Sequence, residues 1–108
     1  MSNFNLDNVT SHIEQDFDNS VNRLIEWLKI PSVSTDPAYD ADVRKAADWM
    51  MNELNGMGFE IKLIETDGHP VVFAERESKD KNAKTLLYYG HYDVQPGDPF
   101  ELWDTAPF

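Results

Sequence analysis

The chain contains no cysteine. Disulfide staples, thiolate metal sites and a cysteine nucleophile are thereby excluded, and any metal must be held by histidine and carboxylate donors. Cations are scarce as well: 9 Lys and Arg stand against 20 Asp and Glu, a formal net charge of -11. That sign repels phosphate backbones and anionic lipid, so neither nucleic acid nor a membrane is an expected partner. No apolar run approaches the roughly 20 residues that cross a bilayer. The opening Met1-Ser2-Asn3-Phe4-Asn5-Leu6-Asp7 also lacks the basic start and apolar stretch of a secretory signal, which makes a soluble, cytoplasmic protein the expectation. Internal repeats and low-complexity tracts are missing too.

What is present suits folding. An apolar fraction of 41%, with 12% aromatic residues, is ordinary for a globular chain, and 108 residues fit one small domain or part of one. From Val9 the apolar residues step by three and four through Ile13, Phe17, Val21, Leu24, Ile25 and Leu28, which predicts one amphipathic helix stopped by Ile30-Pro31. Val43, Ala46, Ala47, Met50, Leu54 and Met57 draw a second helix, entered at Asp40 or Asp42 and ended by Gly56 and Gly58.

Phe59 to Leu63 alternates as a half-buried strand, and Val71 to Ala74 forms another after the turn Thr66-Asp67-Gly68-His69-Pro70, the two expected to pair antiparallel. The charged run Glu75 to Lys84 reads as an exposed turn. Thr85-Leu86-Leu87-Tyr88-Tyr89 is continuously apolar or aromatic, as a central strand buried on both faces would be. The expected fold class is therefore α/β, two helices followed by three strands of a larger mixed sheet.

Chemistry is sought where a buried strand delivers the chain to a loop, here Gly90 to Pro96. His91 and Asp93 lie two apart, and in extended backbone such residues point to the same side. A carboxylate in that position reaches one imidazole nitrogen and leaves the other free for a metal. By itself the triplet is weak evidence, and a surface histidine paired with a neighbouring acid is its plainer reading.

Its surroundings are more specific. Tyr89-Gly90-His91-Tyr92-Asp93-Val94-Gln95-Pro96, followed by Asp98-Pro99-Phe100-Glu101-Leu102-Trp103 and Pro107-Phe108, resembles the first metal-binding motif of the zinc-dependent M20 peptidases, in the dipeptidase branch that includes carnosine dipeptidases. Leu28-Lys29-Ile30-Pro31-Ser32-Val33-Ser34 and Gly68-His69-Pro70-Val71-Val72 are similar to that branch too, so the likeness runs from about Val21 to Phe108. It implies a hydrolase of dipeptides or related short amides with a two-zinc site, manganese and cobalt suiting the same donors.

The resemblance gives His91 the role of metal ligand and Asp93 that of the active-site acid orienting it. It also implies that residues 1–108 are the N-terminal portion of a catalytic domain, without the dimerisation domain and the remaining ligands, and that the complete enzyme is a homodimer acting on small peptides. The family's wider membership keeps amino-acid deacylation open. A non-catalytic module that binds or complements a partner is the reading from another class, favoured by apolar residues at Leu102, Trp103 and Phe108.

Other residues have plainer readings. His69 is expected to serve its turn or local packing, and His12 to lie on the surface. Trp27 and Trp49 belong to the packing of the helices. Glu60, Glu65, Glu75 and Glu77 lack ligand spacing to His91 and are expected in solvent.

Overall fold

The computed structural model describes residues 5–108. Helix α1, Leu6–Gln15, starts where the Asn5 side chain accepts from the backbone N–H groups of Asp7 (2.9 Å) and Asn8 (3.4 Å). Helix α2, Phe17–Leu28, continues the same apolar stripe after an interruption at Asp16, whose backbone sits at φ -95°, ψ 5°. The single helix expected from Val9 to Leu28 is thus two. The Asp16 carboxylate folds onto the next turn, accepting from Asn19 Nδ2 and Ser20 Oγ at 3.0 Å each, and aspartate in such a local bond competes with continuous helix.

A single 3₁₀ turn, Pro37–Tyr39, leads into α3, Asp40–Gly56. Asp40 and Asp42 sit in the first turn of α3, where negative charge meets the positive end of the helix dipole. The exit is a Schellman motif. Gly58 takes φ 83° and donates to the Asn55 carbonyl, while the Phe59 N–H donates to that of Leu54.

Strands β1, Glu60–Ile64, and β2, Val71–Glu75, pair antiparallel, with Ile61 opposite Ala74 and Leu63 opposite Val72. Those four residues form the half-buried face, and α3 packs against both strands. Among the described residues few are buried: Ile30, Val33, Val43, Ala46 and Ala47, with Ser32, Pro70 and Gly97. Trp27 of α2 stacks on Trp49 of α3 with centroids 5.5 Å apart and planes 9° from parallel, joining the second helix to this core.

The third predicted strand does not form. Residues 85–89 carry no strand, and Leu86, Leu87, Tyr88 and Tyr89 are 74 to 93% exposed. β-propensity describes a side chain's fit to a pleated surface with neighbours on each side, and among the described residues no segment pairs with this one. Among the described residues the architecture is α/β, with three α-helices and a two-stranded antiparallel sheet. No described helix is long and apolar enough to cross a membrane.

Candidate functional site

The segment carrying His91 is held by a loop far away in sequence. Val33 and Val94 form a parallel β-bridge, with the Val94 N–H donating to the Ser32 carbonyl at 3.0 Å. Ser32, buried, donates its hydroxyl to the Tyr92 carbonyl at 2.9 Å. Two residues on, Ser34 Oγ donates to Asp93 Oδ2 at 2.6 Å. The period of two in extended backbone brings both hydroxyls to the face that meets residues 92–94.

Asp93 then reaches back to the histidine. Its Oδ1 lies 2.8 Å from His91 Nδ1, and its backbone carbonyl lies 3.1 Å from the same nitrogen. Both groups are acceptors, so Nδ1 carries the proton and the ring's lone pair is at Nε2. The Ser34 hydroxyl, and after it His91, hold the Asp93 carboxyl below the usual carboxylate range against an opposing effect of burial. Burial, followed by the Asp93 charge, pushes the Tyr92 phenol up.

The His91 side chain is 76% exposed, so no apolar packing fixes the ring and its hydrogen bonds to Asp93 do. It borders a cleft of about 750 Å³ between α3, β2 and residues 88–93, whose apolar wall includes Val43, Met50, Leu54 and Phe73. A second hollow of about 420 Å³, between Ile25, Leu28 and residues 106–108, has Lys29 as its only ionisable side chain and offers no metal donor.

His69 has more than a turn's duties. Its Nε2 lies 2.9 Å from the Ser34 carbonyl, an acceptor only, so Nε2 donates and the β1–β2 turn is tied to the loop that supports Asp93. Thr66 Oγ1 in turn accepts from the Gly68 N–H at 3.1 Å and donates to the His69 carbonyl at 2.8 Å. Sequence reasoning passed over Ser34 as a site residue, although the alternation Ser32-Val33-Ser34, with the buried valine between two hydroxyls, carried a signal of one-sided polarity. Glu65 is engaged with Arg44 at 2.6 Å. His12 is exposed on α1, and Trp103 donates Nε1 to the Gly97 carbonyl at 2.7 Å.

The donor chemistry fits a metal in part. One imidazole nitrogen is bare, and its partner nitrogen is fixed by a carboxylate, as ligating histidines commonly are. Among the described residues no group of three or more His, Asp or Glu side chains could hold an ion.

Comparison with known proteins finds the chain similar to the N-terminal part of metallodipeptidases. The Cys-Gly metallodipeptidase DUG1 of Saccharomyces cerevisiae is 35% identical over 98 residues, taking in 80% of this chain and 20% of the yeast protein. A solved structure of that dipeptidase, Dug1p, superposes on 88% of this chain and 22% of its own with a TM-score of 0.76 and 33% identity. The human Beta-Ala-His dipeptidase is 29% identical over 116 residues, 95% of this chain and 23% of that protein. A succinyl-diaminopimelate desuccinylase of Paraburkholderia xenovorans is 38% identical over 60 residues, 55% of this chain and 16% of that enzyme. The chain thus spans about a fifth to a quarter of the length of these dipeptidases. No protein-family model matches it.

Proposed function

We propose that this chain is the N-terminal portion of an M20-type catalytic domain in a metal-dependent enzyme that hydrolyses dipeptides or related short amides. The observation that carries the reading is the His91 to Asp93 contact of 2.8 Å, which commits the Nδ1 proton and leaves Nε2 bare beside an open cleft. His91 is the ligand through Nε2, and Asp93 fixes its tautomer and raises its basicity. Zinc, or manganese or cobalt with the same donors, would supply an activated water and a polarised amide carbonyl. The chain's own part is to aim one imidazole and exclude its other tautomer. Further donors, and the two-metal arrangement the sequence resemblance implies, would come from outside the described residues.

The second reading is amino-acid deacylation at the same site, favoured by the 60-residue likeness to a desuccinylase. Both are hydrolyses of an amide, and the residues of this chain do the same work in each. A binding or complementing module has in its favour the exposed apolar segment at 86–89 and Leu102.

The test is metal analysis with dipeptide and acyl-amino-acid assays on the complete enzyme. His91→Ala should abolish turnover and lower metal content. Asp93→Ala should retain part of the metal and lose roughly 10–100-fold in activity, the usual cost of removing a ligand's hydrogen-bond partner. Full activity in either variant refutes the role given to that residue.

A further inference from the structure

Asp93 is itself held. One carboxylate oxygen takes the His91 Nδ1 proton at 2.8 Å, and the other takes the Ser34 hydroxyl proton at 2.6 Å. A carboxylate bound at one oxygen turns about its terminal torsion, whose energy well is broad. Bound at both, by partners 59 residues and two residues away in sequence, it has one orientation. The Ser34 contact is a short hydrogen bond from a hydroxyl to an ionised acceptor, the strong kind.

We infer that Ser34 is a positioning residue for the metal site, acting through Asp93 to hold His91 in the tautomer with Nδ1 protonated and Nε2 free. The alternative, that Ser34 simply fastens two loops, is weakened by a division of labour within residues 32–34. Fastening is already provided by the Val33 to Val94 bridge, the Val94 N–H to Ser32 carbonyl bond and the Ser32 hydroxyl on the Tyr92 carbonyl, all to backbone atoms or between them. Ser34 alone among the three reaches a side chain, and that side chain is the one His91 depends on.

The other side of Ser34 is braced too, since its carbonyl accepts from His69 Nε2 at 2.9 Å. The backbone that carries the hydroxyl is thus braced from the β1–β2 turn, and a chain of contacts runs His69, Ser34, Asp93, His91. His91, largely exposed, has no hydrogen bond to any other residue among those described. Its tautomer therefore reports on Asp93 directly and on Ser34 at one remove.

This inference rests on His91 being a ligand for its functional meaning, but its first test needs no metal. In the 15N-labelled full chain at about pH 8, above the ordinary imidazole range, long-range proton–nitrogen correlation separates protonated from bare ring nitrogens. The wild type should show His91 mainly as the Nδ1–H form. Ser34→Ala should make that form the minor one, and Ser34→Thr, which restores a hydroxyl, should return it to the majority.

Ser34→Cys keeps the side chain's shape with a much weaker donor, and it decides the matter should the alanine variant lose its dispersed spectrum. An unchanged tautomer ratio in Ser34→Ala, or in Ser34→Cys if the former unfolds, overturns the inference. Zinc alone is then titrated into the wild type and into the Thr and Cys variants. A shift at His91 Nε2 in the wild type, weakened several-fold in Ser34→Cys and restored in Ser34→Thr, is the expected pattern. A tautomer change on mutation with no zinc-dependent shift at Nε2 in the wild type would retain the positioning role and sink the ligand reading; the reverse pattern would do the opposite.

Discussion

At the scale of single residues, the features that matter are hydroxyls and glycines in places where nothing else fits. Ser32 is 2% exposed, and its hydroxyl supports the Tyr92 carbonyl next to the site. Ser32→Ala should cost about 1 kcal/mol, the usual net worth of one internal hydrogen bond, seen as a lower urea midpoint with an unchanged slope. Gly97 has a different reason to be small: a Cβ there would stand 2.9 Å from Pro107 Cγ and 3.3 Å from Pro107 Cβ. A proline ring cannot swing aside as a flexible chain end would. Gly97→Ala should therefore destabilise by about 1–3 kcal/mol, the range for overpacking, and thermal unfolding followed by circular dichroism would measure it. The pairing of His91 with Asp93 was legible from spacing alone because a two-residue contact needs only extended backbone. The parts of Ser34 and His69 were not legible, since each depends on a partner that only the folded chain brings near.

At the scale of elements, ends were easier to foresee than partners. The Gly58 exit of α3 and the antiparallel pairing of β1 with β2 follow from local chemistry, a glycine able to take φ 83° and two alternating runs joined by a short turn. Gly58→Ala should cost about 1 kcal/mol or a little more, because a Cβ disfavours the left-handed region. A lower denaturation midpoint with the sheet intact is the expected result. The break at Asp16 was hidden because periodicity runs straight through it and the side chain that interrupts the helix acts within a single turn.

Between elements, Arg44 of α3 holds Glu65, just after β1, at 2.6 Å. The Arg44 hydrogen bond keeps the Glu65 carboxyl below its ordinary range. A lowered folded-state value means that this stabilisation is complete above the unfolded glutamate value, near 4.3, and fades as pH falls through the lower folded one. The Glu65→Gln variant should consequently match the parent's stability at the acid end of that window and fall slightly behind it near neutrality, by an amount that shrinks with added salt. Equal stability at both ends would mean that the exposed pair contributes nothing.

At the scale of the whole molecule, the described residues extend 55 × 35 × 18 Å with a radius of gyration of 17.4 Å. A compact domain of about 100 residues would measure near 13 Å. The excess goes with an apolar stripe along α1 and α2 that is left open, from Leu6 at 64% exposed to Leu28 at 48%, and with the uncovered segment 86–89. A two-stranded sheet with both edges unpaired invites pairing with another chain. Residues 1–108 by themselves should associate in light scattering. They should also show no dipeptidase activity and bind zinc or manganese only weakly in calorimetry, because the single histidine proposed as a ligand does not replace the three or four donors of a zinc site. Submicromolar binding of two ions per chain would overturn the proposal that the other donors lie elsewhere.

What the sequence determined by itself was whatever a few neighbouring residues settle among themselves. That includes the helix and strand periods, the glycine exit at Gly58 and the carboxylate two residues beyond His91. The tertiary structure decided which of these elements meet. It placed Trp27 on Trp49 and set Ser34 and His69 behind Asp93. It also left residues 85–89 outside the sheet, although their composition suits a buried strand. The physical reason is the same in each case. A local hydrogen bond or a backbone preference is present whatever the distant chain does, whereas a ladder, a stacked pair or a hydroxyl 59 residues from its acceptor exists only once two remote segments are brought into register.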